Sequence, residues 1–142
     1  MSKLYTGQCL CGGVRLSAAS PPVAVLSCFC RHCSKGSGGT HQVIAKFADK
    51  DIQVEARDGA LETYTFDDTG SGLPKDKVFC RICGVPMWTV PGHVKGRFLM
   101  VRAAVIDSGP ELKPQFEIYT KYRPSWVPPV EGASQWQEMR VE

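Results

Sequence analysis

Short runs of alternating apolar and polar residues, broken by glycine and proline, dominate this chain and predict strands rather than helices. Residues 13–18 and 61–66 alternate cleanly and 42–47 more loosely, while 23–27, 52–56, 87–90 and 98–105 are further strand candidates. Turn signals separate them at Pro21-Pro22, Asp58-Gly59, Pro91-Gly92 and residues 107–110. Fourteen glycines and ten prolines leave room only for short helical turns, expected at 33–35 and 49–51. The polar, glycine-containing stretch 67–77 predicts a flexible surface loop. The segment Pro-Ser-Trp-Val-Pro-Pro at 124–129 can be neither regular helix nor central strand, so it is expected to lie extended over the body with Trp126 as its anchor.

These patterns predict one mainly β domain, residues 1–142, large enough to bury its own core. No apolar run has the length of a membrane span. The formal charge of +3 counts cysteines as neutral; seven thiolates on two Zn²⁺ would bring it to zero. The basic residues are dispersed, so no stripe for nucleic-acid phosphates is expected.

The seven cysteines change the picture, because they fall into three tight groups: Cys9 and Cys11; Cys28, Cys30 and Cys33; Cys80 and Cys83. Disulfides suit them poorly: the count is odd, and the spacings within a group are too short for unstrained bridges. The first five residues show no secretory leader, so a reducing, cytoplasmic setting is expected, in which clustered cysteines read as metal-binding or catalytic. Cys9, Cys11, Cys80 and Cys83 form two close pairs, the pattern of a closed, structural zinc. Glycines at 7, 12, 13 and 84 permit the tight turns such a site needs, and Phe79 is expected to shield it.

Cys28, Cys30 and Cys33 supply only three thiolates, which leaves one coordination position open for water, a side chain or an incoming thiol. Zinc held this way activates a thiol and polarises a carbonyl oxygen. Closure of the shell by His32, His41 or another residue would make this second zinc structural as well, and a metal-free redox trio is a further alternative. The stretch from Ser34 to Thr40, including Lys35, Gly36, Ser37 and Gly38, is a Gly/Ser segment able to present backbone N–H groups to a carboxylate.

Four motifs together resemble the glutathione-dependent formaldehyde-activating enzyme family, which also includes the centromere protein V domain. They are Gly-x-Cys-x-Cys-Gly-Gly-Val-Arg at 7–15, Cys-x-Cys-x2-Cys-Ser-Lys-Gly-Ser-Gly at 28–38, Phe-Cys-x2-Cys-Gly-x-Pro-Met-Trp at 79–88 and Leu-Lys-Pro-Gln-Phe-Glu-Ile-Tyr-Thr at 112–120. The resemblance implies a mainly β, zinc-binding β-tent-like fold of stacked antiparallel sheets. It also implies two zinc ions per chain: a structural one on Cys9, Cys11, Cys80 and Cys83, and a labile, catalytic one on Cys28, Cys30 and Cys33. The implied activity is a carbon–sulfur lyase reaction run in reverse, joining glutathione as co-substrate to formaldehyde. Phe29 stands where a polar residue such as histidine is common in that family, which predicts a more apolar rim.

Three functions are consistent with this reading. In the first, a thiol is added to a small aldehyde. The second applies the same chemistry to a larger carbonyl or a thioether from secondary metabolism, with Phe29, Tyr119, Tyr122 and Trp126 lining a roomier pocket. The third is a non-catalytic zinc scaffold. Small-molecule thiols and aldehydes are the expected partners, without nucleic acid or membrane, in a monomer or a homodimer.

Overall fold

The computed structural model describes residues 5–141; the first four residues, where the leader was sought, and residue 142 lie outside them. Among the described residues, alternation in the sequence becomes eleven strands in two sheets. The smaller sheet has the order β1 (Tyr5–Gln8), β2 (Val14–Ala18) and β5 (Ile52–Ala56). The larger has eight strands in the order β11 (Ser134–Gln135), β10 (Phe116–Ile118), β3 (Ala24–Cys28), β4 (Gln42–Ala48), β9 (Phe98–Arg102), β8 (Pro86–Pro91), β7 (Lys75–Cys80) and β6 (Leu61–Phe66). All pairings are antiparallel except those of β10, which runs parallel to both β3 and β11. The expected mainly β class is present, with this parallel strand as its departure from an antiparallel pattern.

Because side chains alternate across a strand, register divides the larger sheet into two working faces. Ala45, Phe47, Trp88 and Val101 point one way and pack with Val14, Leu16 and Ala18 of β2 into the main core between the sheets. On the opposite face Leu26 pairs with Ile44, Ile44 with Arg102 and Leu26 with Phe116. Two residues further along β3 and β10, Cys28 and Ile118 share that face. Leu26, Cys28, Ile44, Phe116 and Ile118 join Cys33 in a second apolar cluster. The helix α1 (Arg31–Ser37) follows β3 and contacts β4.

Differences from the sequence reading have physical causes. The helix is longer than the turn expected at 33–35, because Cys30 caps its start through its sulfur and Gly38 ends it in the left-handed region at φ 75°. The expected loop at 67–77 gives up its last residues to β7, where Lys75, Asp76 and Lys77 pair with Phe66, Thr65 and Tyr64 across a hairpin. The clean alternation of Leu61–Phe66 does not mark a half-buried strand: β6 is the sheet edge, paired on one side, and Tyr64 is exposed.

Trp126 is not the anchor of the tail, being 74% exposed. Trp136 packs against the second cluster instead. Buried Glu117 completes the clasp, its Oε1 accepting hydrogen bonds from Arg123 Nη2, Val130 N and Gln135 Nε2, each at 2.9 Å. Polar bonds to a buried carboxylate hold this proline-rich segment where apolar burial of Trp126 does not.

Candidate metal centre and active-site cleft

Two hairpin turns build the four-sulfur cluster. Cys9 and Cys11 lie in the β1–β2 turn, where Cys9 N donates to Val14 O and Gly12, at φ 74°, donates to Cys9 O. Cys80 ends β7 and Cys83 lies in the turn to β8. There Gly84, at φ 81°, donates to Cys80 O. All four sulfurs lie within 4.8 Å of one another. Cys9 and Cys11 are 3.6 Å apart and Cys11 and Cys80 3.7 Å. Tetrahedral zinc with bonds of about 2.3 Å sets its sulfurs about 3.8 Å apart, so the donor set fits that ion. Backbone N–H groups of Val14, Gly13 and Cys83 donate to the sulfurs of Cys9, Cys11 and Cys80 at 3.3, 3.4 and 3.5 Å, as expected around thiolates. A side chain at Gly13 would place its Cβ 3.2 Å from Cys11 Sγ, which accounts for glycine there.

The three-sulfur cluster rises from one short stretch: Cys28 at the end of β3, Cys30 capping α1 and Cys33 in its first turn. Its sulfurs also lie within 4.8 Å of one another, and among the described residues no histidine or carboxylate joins them. His41 instead meets Thr40 Oγ1 at 2.7 Å through Nδ1 and stacks on Phe29 at 4.6 Å. His32 turns toward Asp68 at 3.8 Å and packs edge-on against Phe66. Contacts with the Cys28 and Cys33 thiols push the Cys30 thiol down to about 2, and contact with Cys30, then Cys33, pushes Cys28 well above the ordinary thiol range. Sulfurs this close cannot all be ionised unless a cation lies among them, so this cluster also fits a metal ion.

A cleft of about 980 Å³ opens beside the three sulfurs. Its floor is the pocket face of the larger sheet, with Leu26, Ile44, Met100 and Phe116, and its rim includes Tyr119, Tyr122 and residues 68–71. Tyr119 holds a left-handed backbone, φ 55°, a costly conformation for a residue with a side chain. Its hydroxyl approaches the backbone at Gly70 across the rim: a Cβ on that glycine would lie 3.9 Å away. Of the aromatic residues expected to line a roomy pocket, Tyr119 and Tyr122 do so. Phe29 is not on the rim, because it is 1% exposed and packed between secondary elements with His41 and the Arg123 guanidinium against its ring. Trp126 is also absent from the lining.

The Gly/Ser segment differs from its expected role. Lys35, Gly36 and Ser37 are helical, and Gly38 N donates to Ser34 O and Lys35 O, while Gly39 N donates to Ser34 O and Ser37 Oγ. These amide groups close the helix rather than facing a ligand. Lys35 and Gly36 border a second cavity of about 300 Å³; Ser37 and Gly38 border neither. Cationic side chains that the sequence reading did not name border the cavities: Lys46 and Lys75 line the large cleft, and Lys75, Lys77 and buried Arg102 the small one. A lone arginine inside the apolar run 98–105 was the available signal for Arg102. Burial lowers the Arg102 pKa, partly offset by the Cys33 and Cys28 sulfurs beside it.

Residues 4–122 match the family described as glutathione-dependent formaldehyde-activating enzyme. The chain belongs to that family. A crystal structure of a Rhodobacter sphaeroides protein is similar in fold, with a TM-score of 0.56 and 19% identity, covering 92% of this chain and 98% of that one. No curated protein matches the chain significantly. The family's enzyme association thus rests here on the match over 4–122, and the likeness to the Rhodobacter protein concerns fold alone.

Proposed function

We propose that this protein is a zinc-dependent enzyme of the carbon–sulfur lyase type that adds a thiol, glutathione, to a small aldehyde such as formaldehyde, or runs the reverse elimination. One observation carries the reading: three convergent sulfurs, without a fourth side-chain ligand among the described residues, form part of the wall of a large cleft. In this reading the four-sulfur cluster holds a structural zinc and Cys28, Cys30 and Cys33 hold a second. Zinc bound there supplies a Lewis acid and favours the thiolate form of a neighbouring sulfur.

The chain's own residues do the rest. Cys28 and Cys33, both 4% exposed, line the cleft largely shielded from water. Lys46 and Lys75 make the cleft attractive to an anionic thiol, against Asp68 as the acidic residue in its lining. The reaction is redox-neutral: a bond forms between sulfur and the carbonyl carbon, the C=O π bond opens, and the thiol proton ends on the carbonyl oxygen. A reducing cytoplasm suits the free thiols that both clusters require.

A second reading has its own support. The cleft exceeds what formaldehyde needs, and Leu26, Ile44, Met100 and Phe116 make its floor apolar. That surface favours a larger carbonyl or thioether substrate processed by the same chemistry. The discriminating experiment measures the rate of S-hydroxymethylglutathione formation by exchange spectroscopy with wild type, Cys30→Ser and no protein. Acceleration by wild type alone supports the formaldehyde reaction; equal rates in all three remove formaldehyde as substrate.

A further inference from the structure

We propose that the smaller cavity beneath α1, about 300 Å³ in volume, is a subsite for a carboxylate-sized anion, built on Arg102, Lys77, Lys75 and Lys35. Arg102 is 4% exposed, yet its Nε and Nη1 have no hydrogen-bond partner among the described residues. A guanidinium offers five donors and no acceptor, so leaving the three on Nε and Nη1 buried and unanswered is costly unless an acceptor is supplied from outside the chain. A planar carboxylate is the group whose geometry matches that fork.

The surroundings point the same way. At Gly36 an added Cβ would come 3.0 Å from Arg102 Nη2 and 4.0 Å from Lys77 Nζ, so the helix turns its one side-chain-free position toward the place where two cations approach each other. Like charges converge there without an intervening carboxylate; Asp68, the acidic residue of the lining, is fully exposed and faces His32 at 3.8 Å. Cys33, Lys75 and Thr89 border both this cavity and the large cleft. A molecule with its sulfur at the cysteine triplet can therefore extend a carboxylate toward Arg102. Identifying that carboxylate as part of the thiol substrate rests on the function proposed above; anion binding itself does not.

The test titrates sulfate into the zinc-loaded, full-length protein at ionic strength held constant with chloride, following the Gly36 and Lys77 amide resonances. Saturable shifts are expected in wild type, with affinity lowered about tenfold in Lys77→Met, the scale of one charge-assisted hydrogen bond. Lys77 is only half-buried, so this variant keeps the test decisive if Arg102→Met does not fold. Shifts that never saturate, or that are unchanged in Lys77→Met, overturn the subsite. Displacement of sulfate by glutathione but not by 2-mercaptoethanol, a thiol lacking a carboxylate, assigns the subsite to the substrate's carboxylate. Equal displacement by both thiols overturns that assignment. Saturable sulfate binding that glutathione leaves undisturbed supports a site for a free anion and counts against the thiol reading alone.

Discussion

Cys9, Cys11, Cys80 and Cys83 come from hairpin turns on two different sheets, whereas Cys28, Cys30 and Cys33 come from one strand end and the helix that follows it. Cys11 and Cys80, whose sulfurs are 3.7 Å apart, are 69 positions apart in the chain. A metal at the first cluster would therefore cross-link segments distant in the chain, and its binding free energy would become folding free energy. At the second cluster the sheet pairing of β3 with β4 and the cap of α1 already fix the backbone. A metal there is less needed for the fold and can be given an open position. Burial does not separate the two clusters: Cys9 and Cys80 are buried as deeply as Cys28 and Cys33, while Cys11 is exposed and Cys30 and Cys83 are half-buried.

The contrast can be broken most severely at Cys80. Cys80→Ser removes one sulfur from the cluster that spans the two sheets, and the expected result is loss of soluble, zinc-bearing protein. Expression yield and metal analysis check this, and a folded variant that keeps both zinc equivalents would falsify the structural role. Next in size is Glu117→Ala, which leaves the Arg123 guanidinium without its buried partner. A loss of about 3 kcal/mol is expected for breaking such a pair. Denaturant unfolding measures it, and hydrogen exchange should place the loosening in residues 123–136 rather than in either metal cluster.

Gly13→Ala tests the same comparison more gently. Its Cβ would crowd Cys11 Sγ at 3.2 Å, and a cost of about 1 kcal/mol is expected from overpacking. Zinc loss to a competing chelator should quicken at the four-sulfur cluster while the other cluster is unaffected; no change in either sinks the packing argument. The smallest effect on the fold is expected from Cys30→Ser. One zinc equivalent should disappear, with the thermal midpoint moving far less than in Cys80→Ser. Should the two variants unfold alike, both clusters are structural and the open-site reading is wrong.

Much of the fold was readable because period-two alternation and turn residues are local signals: residues 14–18, 42–47 and 52–56 needed no partner to declare themselves. β10 and β11 were missed because they are short and gain their pairing only from β3 and the returning tail. The same holds for Lys75–Cys80, whose polar first half becomes strand through pairing with its hairpin neighbour. The cysteine groups were plain from their spacing, since a metal ligand set depends on residue type and short separations.

By itself, then, the sequence determined a mainly β chain with three tight cysteine groups, because alternation, turn chemistry and cysteine spacing act over a few residues. Tertiary structure alone decided that Phe29 lies behind the site, that Trp136 and Glu117 rather than Trp126 hold the tail, and that Arg102 stands under the helix beside Lys77. Those arrangements depend on which strands become neighbours and which face each side chain takes. Pairing partners distant along the chain set both, and no local pattern encodes them.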